Sequence, residues 1–154
     1  MRFRQVHLDF HTSEKIRGIG SEYSDENFIG ALKAARLDSI TLFAKCHHGC
    51  FYYPSERFFT HPHLEKPLLD LQVAACKKAG VSSKIYISAG FDEYTANQHP
   101  EWLRVRPDGS PQNMLEAKFH FLCFNTPYLD LLWGSLGCGR PWGRKESEMT
   151  EQLN

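Results

Sequence analysis

Two adjacent histidines follow a short apolar strand, and this position is typical of a ligand site. The strand is predicted over residues 39–44, and His47 and His48 come after Lys45 and Cys46. In parallel α/β folds, ligands bind at the edge of the sheet where the carboxyl ends of the strands lie. A neutral imidazole donates one hydrogen bond and accepts another, so the pair suits a ligand with several hydroxyl groups. The alternative is that the two histidines only cap the end of the strand.

Aromatic residues accompany the histidine pair and make a sugar the first hypothesis for the ligand. Phe51, Tyr52, Tyr53 and Pro54 follow the pair directly, and Trp102 lies in a later loop. Aromatic rings can cover the C–H face of a sugar while the imidazoles bind its hydroxyls. The alternative is that these aromatic side chains pack over the sheet as part of the core.

A third histidine belongs to a pattern in the first predicted strand. His7, Asp9 and His11 share one face, because side chains alternate along a strand. One interpretation is that the three are buried polar side chains without a role in binding. The rival hypothesis is a metal centre similar to that of amidohydrolase or phosphoesterase barrels, which needs further ligands on later strands. Asp92 and His120 are available but fit no such motif, so no metal ligand is assigned.

Two carboxylates follow the third predicted strand. Hydrolysis of a glycosidic bond generally uses a pair of carboxyl groups on either side of the scissile bond. Asp92 and Glu93 are adjacent in the chain and are expected to point to opposite sides. We therefore predict that they are not a catalytic pair, and no catalytic residue is assigned. Each is a candidate for binding sugar hydroxyls, with a solvated or helix-capping role as the alternative.

The chain has five cysteines, an odd number that does not indicate a disulfide framework. This favours a reducing, intracellular setting, cytoplasmic by default. Cys46, Cys50, Cys76 and Cys123 are interpreted as small buried apolar side chains. A structural zinc ion needs four ligands, and no second Cys or His pair completes a site with Cys46 and Cys50. No cofactor is predicted.

The composition excludes several classes of partner. The formal net charge is zero, with 18 basic and 18 acidic side chains, whereas a nucleic-acid-binding surface needs an excess of basic residues. No apolar run approaches the ~20 residues that span a bilayer. The N-terminus lacks the apolar stretch of a secretory signal. The sequence carries no indication of oligomeric state.

Strands and helices alternate along the first 130 residues, which predicts an α/β fold with parallel strands. The predicted strands cover residues 5–10, 39–44 and 84–89. The predicted helices cover residues 24–36 after an N-cap at Ser24, residues 66–79 before Gly80, and a segment after Asn125-Thr126-Pro127. Residues 90–115 are predicted to form a long loop with a turn at 107–109. A closed barrel needs ~250 residues, so three such units predict part of a barrel or a small open sheet.

The histidine pair also carries a family resemblance. Lys45, Cys46, His47, His48 and Gly49 resemble the Lys-His-His-Asp-Gly-Phe segment of α-L-fucosidases and related barrel glycoside hydrolases. Cys46 is an extra residue, and the Asp after the histidines is absent. Other segments resemble the first quarter to half of a fucosidase-like or β-galactosidase-like barrel hydrolase of carbohydrate-degrading bacteria: residues 5–12, 90–93, 99–102 and 123–128.

The resemblance implies a truncated (β/α)8 barrel of about three βα units that belongs to carbohydrate metabolism and has a carbohydrate substrate. The implied activity is hydrolysis of O-glycosyl bonds next to a deoxy-sugar or galactose-like residue. In related fucosidases the nucleophile is an Asp on the fourth strand and the acid lies later, so this chain is expected to be inactive or nearly so. The alternatives are a metal-dependent hydrolase, or a remnant or gene-model artefact without enzymatic activity. The candidate sugar-binding residues are His11, His47, His48, Tyr52, Asp92, Glu93 and Trp102.

The last residues differ in character from the rest of the chain. Residues 133–154 contain four glycines and a proline and show no hydrophobic period, which predicts an unstructured tail. They resemble the conceptual translation of a ruminant short interspersed repeat, which implies a chimeric or mispredicted gene. The predicted organisation is therefore part of a catalytic barrel over residues 1–132 and a non-homologous tail over residues 133–154.

Overall fold

Three parallel strands form the sheet, in the spatial order β1-β2-β3. The computed structural model describes residues 4–113 and 119–135. Its elements in chain order are β1 (Gln5–His7), α1 (Asp25–Ala34), β2 (Ser39–Lys45), α2 (Leu68–Ala79), β3 (Ser82–Ile87), α3 (Glu93–Gln98), a 3-10 turn (Pro100–Trp102) and α4 (Tyr128–Ser135). The prediction of an α/β fold with parallel strands is confirmed, with three strands and four α-helices in the described part of the chain.

Strand β2 lies in the middle of the sheet, and every one of its residues is buried. Its side chains alternate, so Ile40, Leu42 and Ala44 pack in a core cluster with Leu69 and Cys76 of α2. Phe43 points to the other face of the sheet and belongs to a second cluster. The near-continuous apolar run of β2 is typical of a strand that is covered on both faces.

Two predicted helix boundaries are confirmed by the capping geometry. The backbone N–H of Asn27 donates to Oγ of Ser24 at 3.2 Å, which makes Ser24 the N-cap of α1. Gly80 ends α2 in the left-handed conformation, with φ of +71°, which favours glycine. Helix α2 begins at Leu68 rather than residue 66, because Pro67 precedes it as the N-cap.

Two predicted strands differ from the structure. Strand β1 ends at His7 instead of residue 10, because the chain then turns away to Tyr52, whose hydroxyl donates to the Phe10 carbonyl at 3.0 Å. Asp9 and His11 therefore lie beyond the strand, but the rings of His7 and His11 still contact the same two side chains, Phe43 and Tyr86. Strand β3 starts two residues earlier than predicted and ends at Ile87, because its pairing with β2 begins at Ser82 opposite Ser39.

The segment predicted as a loop over residues 90–115 contains helix α3 and the 3-10 turn, so that prediction was wrong in part. Helix α3 has six residues, too few to show a helical period in the sequence. The predicted turn is present, since the Gly109 N–H donates to the Arg106 carbonyl at 2.9 Å. The helix predicted after Pro127 is α4, which ends at Ser135, three residues past the predicted boundary at 132. Residues 136–154 of the predicted tail lie outside the described residues.

One face of the sheet is covered by α1 and α2, and the other is only partly covered. Gln5 and His7 of β1 and Lys84 of β3 point to the second face and are exposed. Strands β1 and β3 are the edges of the described sheet. Among the helices of the described segments, none has the length and apolar character needed to cross a bilayer.

Candidate functional site

His11 and His47 meet at the carboxyl edge of the sheet. The centres of their rings are 4.0 Å apart, and the backbone N–H of His47 donates to Nδ1 of His11 at 3.1 Å. Nε2 of His11 therefore carries the proton and donates to the Asp9 carboxylate at 3.0 Å. The Asp9 side chain is 73% exposed. A ligand hydroxyl can therefore replace it as the acceptor of the His11 hydrogen bond at little cost in free energy.

The hydrogen bonds of Ser88 determine which nitrogen of His47 is protonated. The Ser88 hydroxyl donates to the carbonyl of Phe91 at 2.8 Å, so it must accept the hydrogen bond from Nδ1 of His47 at 2.6 Å. Burial lowers the pKa of His47, and the neighbouring His11 lowers it further, so the ring is neutral at pH 7. Nε2 of His47 consequently holds a lone pair that can accept a hydrogen bond from a ligand hydroxyl.

Two phenylalanines that the sequence analysis did not single out frame the histidine pair. The ring centre of Phe119 lies 4.9 Å from that of His48 and 5.5 Å from that of His47. The ring of Phe91 lies 4.9 Å from His47. Phe91 lies four residues past the end of β3 and directly before Asp92, a signal that was available in the sequence. The placement of Phe119 depends on long-range β-bridges such as that between Phe91 and Phe121. It therefore cannot be predicted from a local sequence pattern.

Aromatic rings of the sheet lie beneath His11. Phe43 of β2 is 5.2 Å from His11 and stacks on Tyr86 of β3 at 4.3 Å. His7 of β1 contacts both rings, at 5.3 Å and 5.6 Å. Burial raises the pKa of Tyr86, so its hydroxyl is protonated at neutral pH. The site therefore combines imidazole groups at the rim with an aromatic floor.

Asp92, a predicted sugar-binding residue, is buried and already has partners. Its Oδ2 lies 2.7 Å from Nζ of Lys45, and both side chains are about as buried as any in the structure. Its Oδ1 accepts from the Thr95 N–H at 2.9 Å and caps α3. The Tyr128 hydroxyl of α4 lies 3.4 Å from the same ammonium group. This network joins β2, α3 and α4 below the histidines.

Glu93, the adjacent carboxylate, points elsewhere, as expected for neighbouring residues. It accepts from the His120 backbone N–H at 3.1 Å, and its Oε1 lies 2.9 Å from Nδ1 of the His120 ring. Its own N–H donates to the carbonyl of His47 at 3.0 Å, which docks α3 on the histidine turn. Both carboxylates are thus engaged by partners, and they do not face each other as an acid–base pair.

Tyr52 and Trp102, the two aromatic candidates, occupy different surroundings. Tyr52 is fully buried, and its hydroxyl accepts from the Thr12 N–H and donates to Phe10, which holds the segment after β1. Trp102 stacks on His99 at 3.7 Å and packs in the core cluster around Tyr128. The ring contacts of His47 and His48 come from other segments than these two residues.

Four of the five cysteines lie in the part of the chain that the structure describes. Cys46, Cys50 and Cys76 are buried, as predicted, and Cys123 is half-buried. In residues 4–113 and 119–135, no group of three or more His, Cys, Asp or Glu side chains is arranged to hold a metal ion. The geometry therefore offers no support for the metal-dependent alternative.

Removing the hydroxyl of Ser88 is expected to leave His47 without a single preferred tautomer. In the Ser88→Ala variant, Nδ1 loses its acceptor, and the imidazole exchanges between its two neutral forms. Nitrogen-15 NMR of the imidazole groups should show one tautomer in the parent protein and averaged shifts in the variant. Ser88→Thr should restore the parent spectrum, and Ser83→Ala, on the opposite side of β3, should leave it unchanged. Unchanged His47 shifts in Ser88→Ala would contradict the assignment.

Comparisons with known proteins place this geometry in a family. The chain is similar to α-L-fucosidase isoenzyme 2 from Paenibacillus thiaminolyticus, with 45% identity and a TM-score of 0.83. The alignment covers 88% of this chain and 21% of that one, so the chain spans about a fifth of the fucosidase. No curated protein matches the chain.

These findings confirm the resemblance to the N-terminal part of a fucosidase-like glycoside hydrolase. The family model described as hypothetical glycosyl hydrolase 6 matches residues 24–136, which is most of the chain and includes β2, β3 and the histidine pair. The chain therefore belongs to the hypothetical glycosyl hydrolase 6 family.

Proposed function

We propose that this chain forms the first part of a (β/α)8 barrel that binds the terminal sugar of an α-L-fucoside or a galactose-like glycoside. In this proposal, residues 1–132 supply three βα units of the barrel wall. The parallel order β1-β2-β3 and the partly exposed second face of the sheet support it, because further barrel strands would pair with the edges and cover that face. The similarity to a fucosidase structure supports the choice of sugar.

The observation that carries the proposal is the meeting of His11, His47 and His48 at the carboxyl edge inside an aromatic frame. Nε2 of His47 offers an acceptor, and Nε2–H of His11 offers a donor. A sugar carries adjacent hydroxyls that both donate and accept, so this pair of complementary groups can bind two of them. The rings of Phe91 and Phe119 are placed to contact its C–H face.

The other predicted binding residues receive different roles in this proposal. Asp92 and Tyr52 act as positioning residues, because both are buried and hold the segments that carry the histidines. Glu93 is half-buried and keeps His120 beside the rim, where either can meet a further hydroxyl group. Trp102 supports the core under α4 rather than the sugar.

We do not propose that this chain alone hydrolyses a glycosidic bond. Cleavage of a glycosidic bond generally needs one carboxyl group as acid and a second as nucleophile or base, at a defined separation. Asp92 is bound to Lys45, and Glu93 is bound to His120. We therefore expect that the 154-residue polypeptide binds sugar without cleaving it, and that the carboxylates belong to strands beyond β3 in the complete barrel.

Titration with L-fucose tests the binding site. Saturable shifts are expected for the imidazole resonances of His11, His47 and His48, measured by NMR. His47→Ala should weaken the affinity about tenfold, since a hydrogen bond in such a site contributes about 1.5 kcal/mol. His63→Ala, in a histidine that packs against His61, serves as the matched control. Shifts that do not saturate, or an unchanged affinity in His47→Ala, would contradict the proposed site.

A second measurement separates binding from catalysis. The purified polypeptide should release nitrophenol from nitrophenyl α-L-fucoside no faster than buffer does. If release occurs at an enzymatic rate and His47→Ala abolishes it, the chain is itself an enzyme. The conclusion that Asp92 and Glu93 are held by their partners and do not take part in cleavage would then be wrong.

A further inference from the structure

The turn that carries His47 and His48 is closed by two cysteines. The N–H of Cys46 donates to the carbonyl of Cys50 at 3.2 Å, and the N–H of Gly49 donates to the carbonyl of Cys46 at 3.1 Å. Lys45 and Phe51, one residue further out on each side, form an antiparallel bridge. Cys46 and Cys50 therefore face each other across the base of the turn.

The two thiol groups lie in one buried cluster. Both residues are fully buried and belong to the same core cluster as Phe43 and Tyr52. The thiol of Cys46 also lies 3.7 Å from the carbonyl of Thr12. Residues that face each other in an antiparallel pair have Cα atoms roughly 4.5–5.5 Å apart. A disulfide requires a Cα separation of about 4.4–6.8 Å, so this backbone geometry can accept one.

The surroundings of the two sulfur atoms make them chemically unequal. The neighbouring thiol of Cys50 lowers the pKa of Cys46, and the backbone at His48 adds to this effect, whereas burial opposes it. The neighbouring Cys46, together with burial, raises the pKa of Cys50. Cys46 is thus the thiolate that reacts first, and Cys50 is still a protonated thiol at that stage.

We propose that Cys46 and Cys50 form a redox-active pair that closes to a disulfide when a hydroperoxide oxidises it. The Cys46 thiolate attacks one oxygen of hydrogen peroxide, the O–O bond breaks, and after protonation the products are a sulfenic acid and one water molecule. The Cys50 sulfur then attacks the Cys46 sulfur, the S–O bond breaks, and a second water molecule leaves with the proton of Cys50. Two thiols lose two electrons and two protons, and the peroxide gains them.

The disulfide would change the histidine pair, because both histidines lie inside the closed loop. The N–H of His47 binds His11, and its carbonyl group binds the N–H of Glu93, so movement of the turn reaches both neighbours. The proposal does not depend on what the histidines bind. Its test can therefore fail or succeed independently of sugar binding.

Peptide mapping gives a direct test, because trypsin cleaves after Lys45 and after Arg57 and leaves both cysteines on one peptide. The folded protein is treated with a small excess of hydrogen peroxide, denatured, alkylated and digested. We expect this peptide to lose two hydrogen masses and to resist alkylation, while Cys76 remains fully alkylated. Dithiothreitol should restore alkylation of both sites. The imidazole resonances of His47 and His48 should shift on oxidation and return on reduction.

Single variants provide the controls. In Cys50→Ser, the sulfenic acid of Cys46 has no resolving thiol, so it should accumulate and react with dimedone. Cys76→Ser should behave as the parent protein, because burial raises the pKa of Cys76 and keeps it unreactive. The proposal is overturned if both cysteines of the peptide remain alkylated under these conditions. It is also overturned if Cys46 pairs instead with another cysteine, or if it passes to sulfinic acid in the parent protein as fast as in Cys50→Ser.

Discussion

Replacing Gly49 by alanine is expected to lower the free energy of unfolding by about 4–7 kcal/mol. Gly49 has a φ of +90°, which alone costs roughly 1–2 kcal/mol for a residue with a Cβ. The new Cβ would overlap Oδ1 of Asp92 and lie 2.8 Å from Cβ of Tyr94. To relieve this overlap, Asp92 must move away from Lys45 and from the N-terminus of α3, and a disrupted buried ion pair costs about 3–5 kcal/mol.

Gly80 provides the matched control for this prediction. Its φ of +71° is also in the left-handed region, but no atom lies within 4 Å of a Cβ built there. Gly80→Ala therefore introduces similar backbone strain without a steric overlap. The expected loss of unfolding free energy is about 1 kcal/mol. Urea denaturation of both variants, followed by tryptophan fluorescence, gives the difference. Equal losses would show that the contact with Asp92 is not what requires glycine at position 49.

Replacing Lys45 by methionine is expected to cost about 3–5 kcal/mol of unfolding free energy. Methionine preserves most of the side-chain volume but leaves the carboxylate of Asp92 buried without its cation. Burial lowers the pKa of Lys45 and the neighbouring Asp92 raises it again, so the charge on Lys45 depends on the carboxylate. Urea denaturation with the parent protein as reference measures the loss.

Two further variants separate the ion pair from general packing. Lys84→Met, on the exposed face of β3, removes a lysine that donates to Gln5 at 3.0 Å, and less than about 1 kcal/mol is expected because surface pairs contribute little. In the double variant Lys45→Met/Asp92→Asn, the buried charge is gone and the new amide group keeps an oxygen for the Thr95 N–H. Its stability should exceed that of Lys45→Met alone. A double variant that is less stable than the single one would show that the buried charge is not the source of the loss.

The Lys45–Asp92 pair also explains why the histidine turn is placed as it is. Lys45 is the last residue of β2, and Asp92 caps α3, whose first two N–H groups donate to the carbonyls of His47 and His48. The pair therefore ties the carboxyl end of the central strand to the element that docks on the turn. Loss of the pair should affect the imidazole resonances as well as stability.

Much of this arrangement was predictable from local patterns. The buried run of β2, the Ser24 cap of α1 and the glycine stop of α2 each follow from residues close together in the chain. The edge position of His47 and His48 follows from the parallel strands, which alternating strands and helices imply. Errors arose where the local signal was short or where a distant contact dominated, as in α3 and at the end of β1.

The sequence by itself determined the α/β class, the central strand and the family of this protein, because hydrophobic period, caps and motifs are properties of neighbouring residues. Only the tertiary structure decided which polar groups at the sheet edge are available for a ligand. Ser88 leaves Nε2 of His47 as an acceptor, whereas Lys45 takes the carboxylate of Asp92. These partners lie 41 and 47 residues away in the chain from the groups that they bind. A hydrogen bond or ion pair depends on separation in space, so no pattern of adjacent residues could have shown them.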